Sequence, residues 1–116
     1  MRRRDPRAFV LVRGDLSPGQ VLAQSVHAAM RLAVADPASA ELPLVVLSAS
    51  TDEQFEQARA RLELEGVLAI EWREPDDGHR LTAIAFVAVC PKATSSLPLA
   101  LREAPRRPLS LSRASR

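Results

Sequence analysis

Four stretches of this chain are apolar or alternate with a period of two, and two others repeat with a helical period. Residues 8–13 predict a first strand, with Phe9 and Leu11 on one side and Val10 and Val12 on the other. Gly14 and Asp15 turn this strand into a helix. Ser17 is suited to the N-cap and Pro18 to the first helical position, and Gln20 completes a Ser-x-x-Gln capping box. The helix is expected to end near Ala35, because Asp36-Pro37 cannot continue it, and the small residues up to Leu42 read as a loop. Residues 44–47 predict a second strand. Ser50-x-x-Glu53 reads as another capping box, opening a helix with Phe55, Ala58 and Leu62 on its apolar face and Gly66 at its end. Residues 67–73 alternate Leu68, Ile70 and Trp72 against Ala69, Glu71 and Arg73. A turn at 74–78 then sends the chain back into 81–90, nearly continuously apolar like a central strand covered on both faces. The order β-α-β-α-β-β predicts an α/β fold, a single four-stranded mixed sheet flanked by helices.

The first helix carries two stripes. Leu22, Val26, Ala29, Met30 and Ala33 recur at spacings of three and four and form the face expected to pack on the sheet. Gln20, Gln24, His27 and Arg31 form a second face. A solvated helix surface more often carries Glu and Lys; two amides, an imidazole and a guanidinium can read or polarise a polar ligand.

Length and composition narrow the picture. With 116 residues, 47% of them hydrophobic, the chain predicts one domain over residues 8–91. A basic arm precedes it at 1–7, and an Arg-, Pro- and Ser-rich tail, expected to be disordered, follows at 92–116. The longest apolar run, 81–90, is about half of the ~20 residues a membrane span needs, and Arg2, Arg3 and Arg4 lead into no hydrophobic segment. A cytoplasmic protein without a membrane partner is expected. The single cysteine, Cys90, cannot form an intrachain disulfide and reads as a small buried hydrophobe. Charge is uneven: residues 1–13 and 102–116 each hold five Arg against one acidic group, whereas 14–101 hold six basic and twelve acidic groups. Arg-rich ends suit nucleic-acid phosphates, and they equally suit solvated tails in a chain whose only lysine is Lys92.

The end of the first strand, the start of the first helix and the acidic turn fall where open α/β sheets bind ligands. Asp15, Gln20, Gln24, His27 and Arg31 come from the first two places, Asp76 and Asp77 from the third. The helix N-terminus adds amide donors suited to phosphate or an oxyanion. His27 can serve as a general base, or as a structural helix residue. Asp76 and Asp77 can activate water, although acidic residues also favour Pro/Gly turns, and that is the simpler reason for them. Thr82 can offer a hydroxyl or be merely a β-branched strand residue, and His79 reads as a solvated loop residue. No metal-ligand spacing, Gly-rich phosphate loop or Ser/Cys nucleophile motif occurs, so neither metal nor cofactor is expected.

Residues 9–30, FVLVRGDLSPGQVLAQSVHAAM, resemble the opening strand and helix of type II peptidyl-tRNA hydrolases, whose A-Q-x-x-H-A signature falls on Ala23, Gln24, His27 and Ala28. Residues 45–67 resemble that family's second strand and charged helix, and 74–86, EPDDGHRLTAIAF, its acidic turn and final strand. The resemblance implies a four-stranded mixed sheet with helices on both sides and a homodimer. It also implies metal-free hydrolysis of the ester joining a peptide to the 3′ ribose of tRNA. By that likeness His27 and Asp76 position or activate the water, with Thr82 nearby, and Gln24 holds the site or substrate. Asp15, Gln20, Arg31 and Asp77 are further candidates for contact with substrate. Asp76 is preferred to Asp77 because it stands two residues before Gly78. The family's lysine at the helix start is missing: the chain has Pro18-Gly19-Gln20 there, which moves oxyanion stabilisation onto helix amides.

Overall fold

A computed structural model of the chain describes residues 5–89, 91, 94 and 97–100. Arg2 to Arg4, Cys90, Lys92 and the run 102–116, for which the sequence carries expectations, lie outside the described residues. The elements follow as β1 (Arg7–Arg13), α1 (Pro18–Ala35), a 3-10 turn at Pro37–Glu41, β2 (Leu44–Ala49), α2 (Asp52–Leu64), β3 (Ala69–Glu74), a short 3-10 turn at Pro75–Asp77, and β4 (Arg80–Ala88). The four strands form one mixed sheet in the order β2-β1-β4-β3, with β1 parallel to β2 and antiparallel to β4, and β3 antiparallel to β4. This is the expected α/β architecture. Among the described residues no helix is long and apolar enough to cross a membrane.

The helices cover opposite faces of the sheet. Beneath α2 lie Phe9, Leu11, Leu47, Ile84 and Phe86 with Phe55, Ala58 and Leu62 of the helix. Beneath α1 the sheet is built from Ala8, Val10, Val12, Ala83 and Ala85. These small side chains let α1 approach closely, and the helix meets them with Val21, Gln24, Ser25, Ala28 and Leu32. The packing face is therefore one residue earlier than the apolar stripe suggests, a rotation of about 100°. Leu22, Val26 and Met30, expected against the sheet, are instead 62%, 48% and 60% exposed.

Local chemistry sets the helix ends. Ser17 accepts from the Gln20 amide while the Gln20 side chain accepts from the Ser17 amide, the complete capping box. For α2 the cap is Thr51, not Ser50: the Thr51 hydroxyl accepts from the Gln54 amide, and the Gln54 side chain accepts from the Ser50 amide. The neighbouring hydroxyl wins because Gln54, placed three residues after Thr51, can also satisfy the preceding amide. The left-handed Gly66 closes α2, with the Val67 amide donating to Leu62 and the Gly66 amide to Glu63. Gly14 ends β1 where the chain skirts β2, and a Cβ there would run into the Ala49 carbonyl oxygen.

Two further departures matter. Beyond β4 the sequence predicts an unstructured tail, yet residues 97–100 lie along the outer edge of β2. The Ser48 amide donates to Pro98 and the Ala100 amide to Val46, covering part of an edge strand whose hydrogen-bonding groups would otherwise stay open. Within β4 the pairing with β3 slips, so that Trp72 faces Ala83 and Arg73 faces Leu81. Thr82 is the extra residue of this bulge.

Candidate functional site

The bulge sets the chemistry of the α1 face. Along β4, Phe86 and Ile84 point to α2, and Ala85 and Ala83 to α1. Strict alternation would send Thr82 towards α2. Instead Leu81 takes the α2 side, and the Thr82 hydroxyl donates to Gln24 Oε1 on α1 at 2.9 Å. A bulge re-aims a side chain in this way. From the opposite face Arg13 secures it: Nε donates to the Leu81 carbonyl at 2.6 Å, and the guanidinium lies 4.1 Å from the Phe55 ring centroid and pairs with Asp52 and Glu56.

Gln24 passes the connection on. Its side-chain nitrogen donates to Glu74 Oε1 at 2.9 Å, so both ends of a buried amide are engaged. Glu74 also accepts from Trp72 Nε1 at 3.4 Å and from the Asp76 amide at 3.1 Å. The Asp76 amide, the Gln24 side chain, the Trp72 indole and the nearby charge of His27 together hold the Glu74 carboxyl below its ordinary pKa. His27 lies flat on Trp72, with ring centroids 4.3 Å apart and planes 9° apart, and the Arg31 guanidinium stands 5.1 Å from the Trp72 centroid. These three residues line a groove of about 570 Å³ with Met30, Val34, Ala35, Ile70 and Glu71.

Among the candidates, Gln24, His27, Arg31 and Thr82 are thus gathered around Glu74 and Trp72. Thr82 is 1% exposed and acts by holding Gln24, so its hydroxyl is out of a ligand's reach. Asp15 and Asp77 form a separate group: Arg80 bonds Asp15 Oδ2 at 2.6 Å and Asp77 Oδ2 at 3.5 Å, which ties the β1–α1 loop to the acidic turn. Asp76 is exposed and contributes its backbone amide to Glu74; its side chain makes no hydrogen bond or ion pair among the described residues. Gln20 is occupied in the cap of α1. Seven residues of helix separate it from His27, about 10 Å along the axis, so the first-turn amides do not reach a group reacting at His27. His79 is exposed in the turn, at φ 61°.

Sequence reasoning missed Glu74, Trp72 and Arg80 as site residues. For the first two a signal existed: extending the series Leu68, Ile70, Trp72 by one step puts Glu74 on the face that meets α1. Among the described residues no group of three or more His, Cys, Asp or Glu side chains is placed to hold a metal.

No protein-family model and no curated protein matches the chain. Its fold is similar to that of a protein of unknown function from Agrobacterium tumefaciens, Atu0240, with a TM-score of 0.68 and 15% identity over 82% of this chain and 97% of the other. At that identity the likeness concerns the fold alone.

Proposed function

We propose that the chain hydrolyses the ester of peptidyl-tRNA, and does so in the cytoplasm without a metal. The observation that carries this reading is the relay Thr82–Gln24–Glu74 beside His27, built on the A-Q-x-x-H-A residues. In the reaction His27 takes a proton from a water as that water adds to the ester carbonyl. The Glu74 carboxylate stabilises the imidazolium that forms. When the tetrahedral intermediate collapses, the imidazolium returns the proton to the departing ribose 3′ oxygen, leaving a peptide acid and free tRNA. Glu74 takes the part that the resemblance gave to Asp76, because its carboxylate is fixed by Gln24, Trp72 and the Asp76 amide, whereas the Asp76 side chain makes no hydrogen bond or ion pair among the described residues. Since the body is acidic, tRNA affinity draws on the Arg-rich ends and falls with salt.

The homodimer belongs to the same proposal, through the outer face of α1. Leu22, Val26, Met30 and Val34 form a ridge spaced by four, beside the half-buried small side chains of Ala29 and Ala33, against which the same ridge of a second copy can pack. The ridge and these small side chains carry no charge.

Release of labelled peptide from peptidyl-tRNA by the purified, metal-free protein tests the reaction. Turnover is expected to fall by about 10²–10⁴ in His27→Ala. A parent protein that binds tRNA without turnover would favour a second reading, a non-catalytic tRNA- or protein-binding module. One observation supports it: Gln20 stands in place of the family lysine and is folded into the helix cap.

A further inference from the structure

We infer that the groove between the C-terminal half of α1 and β3 is a nucleotide site, in which Arg31 pairs with a phosphate and the base extends the stack of His27 on Trp72. The charge balance points there first. Residues 5–89 hold thirteen acidic side chains against seven arginines. Arg13, Arg59, Arg61, Arg73 and Arg80 are each paired with a carboxylate; among the described residues only Arg7 and Arg31 make no ion pair. In so acidic a domain an unpaired arginine above an indole is a cation kept for an outside anion, and guanidinium forms bidentate bonds to phosphate.

The groove's own carboxylate does not compete. Glu71 is held by Arg59 at 2.6 Å and by Arg73 at 3.3 Å, and Glu74 next to the groove is occupied by Gln24, Trp72 and the Asp76 amide. What remains open to a ligand, with the α1 ridge given to a second copy, is Arg31, the exposed His27, and an apolar wall from Ala35 and Ile70. A bare anion uses only the first of these, and an apolar ligand leaves the cation idle. A nucleotide, with one phosphate and one flat ring, uses all of them, and stacking of bases on aromatic side chains is a general means of holding single-stranded RNA. The volume of about 570 Å³ lies within the range of small-ligand sites. The inference deepens the ester-hydrolysis reading, since it assigns the 3′-terminal nucleotide of tRNA to this groove, but it is tested without turnover.

Trp72 is the only tryptophan of the chain, so its fluorescence reports on the groove alone. The full chain is titrated with the RNA trinucleotide CCA, with AMP and with inorganic phosphate. Quenching by CCA and AMP, but not by phosphate, is expected, and Arg31→Gln should weaken it about tenfold while Arg31→Lys restores part of the loss. Quenching of the parent should also weaken as salt is raised. CCA binding more tightly than AMP identifies an RNA end as the ligand, and equal binding identifies a free nucleotide; both support the site. Fluorescence unmoved by CCA and AMP, or an Arg31→Gln variant with intact circular dichroism that binds as the parent does, overturns it. Binding without peptidyl-tRNA turnover would remove the hydrolase reading and leave the nucleotide site standing.

Discussion

Replacing Thr82 by valine removes one hydrogen bond from the interior and almost nothing else. The two side chains have the same shape, so no cavity opens, and Thr82 is 1% exposed. What changes is the partner of Gln24 Oε1, which loses its donor at 2.9 Å in a place where Gln24 itself is only 7% exposed. A buried carbonyl left unpaired costs about 1–3 kcal/mol, and the added methyl recovers about 0.8 kcal/mol through burial. The net loss should be about 0.2–2 kcal/mol, a fall in Tm of roughly 4–8 °C for each kcal/mol in a domain of this size. Urea unfolding of Thr82→Val should show a lower midpoint with an unchanged slope. Combining it with Gln24→Met should cost less than the two single changes added together, because the valine no longer leaves an orphaned carbonyl. A Thr82→Val protein at least as stable as the parent, with its effect simply additive to that of Gln24→Met, would mean that Gln24 is not held from β4, and the relay to Glu74 would lose its anchor.

Other outcomes follow from single features. The Glu74 carboxyl titrates lower in the folded chain than in the unfolded one, so its contribution to stability is present above the unfolded pKa and is lost as pH falls through the folded value. The stability gap between the parent and Glu74→Gln should therefore shrink on acidification below about pH 4, and a constant gap would contradict the assignment. His79 holds φ at 61°, so His79→Gly should raise stability by about 0.5–1 kcal/mol in thermal unfolding. Gly14→Ala should cost about 1–3 kcal/mol in the same assay, because the new methyl must push the Ala49 backbone away. Sedimentation of the parent should reveal a dimer that Val26→Glu dissociates without unfolding; a parent that stays monomeric would refute the α1 interface.

What the sequence makes legible is what neighbours along the chain decide. Both ends of α1 can be read because Ser17, Gln20 and Asp36-Pro37 act within a few residues of where they stand. The rotation of α1 cannot, because it is decided by Glu74 and Thr82, some fifty residues away, and by the small side chains of β1 and β4. Gln24 looks like a surface residue until its partners are known. The start of α2 reads one residue early because two adjacent hydroxyls, Ser50 and Thr51, each precede a suitable acceptor by three. Thr82 falls on the strand that its sequence predicts, but its direction depends on a slip in pairing that no composition marks. Residues 97–100 show no periodicity, and their order comes from the edge of β2 that they cover.

The bulge in β4 has a consequence for how this protein can change over time. On its two sides the strand obeys opposite parity, so the connection from Arg80 to Ala85 depends on how many residues are present as much as on which ones. Removing a single residue at the slip restores simple alternation and leaves the outer sheet pairing possible, while turning the position that addresses Gln24 towards α2. Substitution can therefore erode the polar centre gradually, whereas one in-frame codon deletion dismantles it at a stroke in a domain that still folds. Relatives that keep the sheet but lack that one residue should form a branch with a different chemistry on the α1 face.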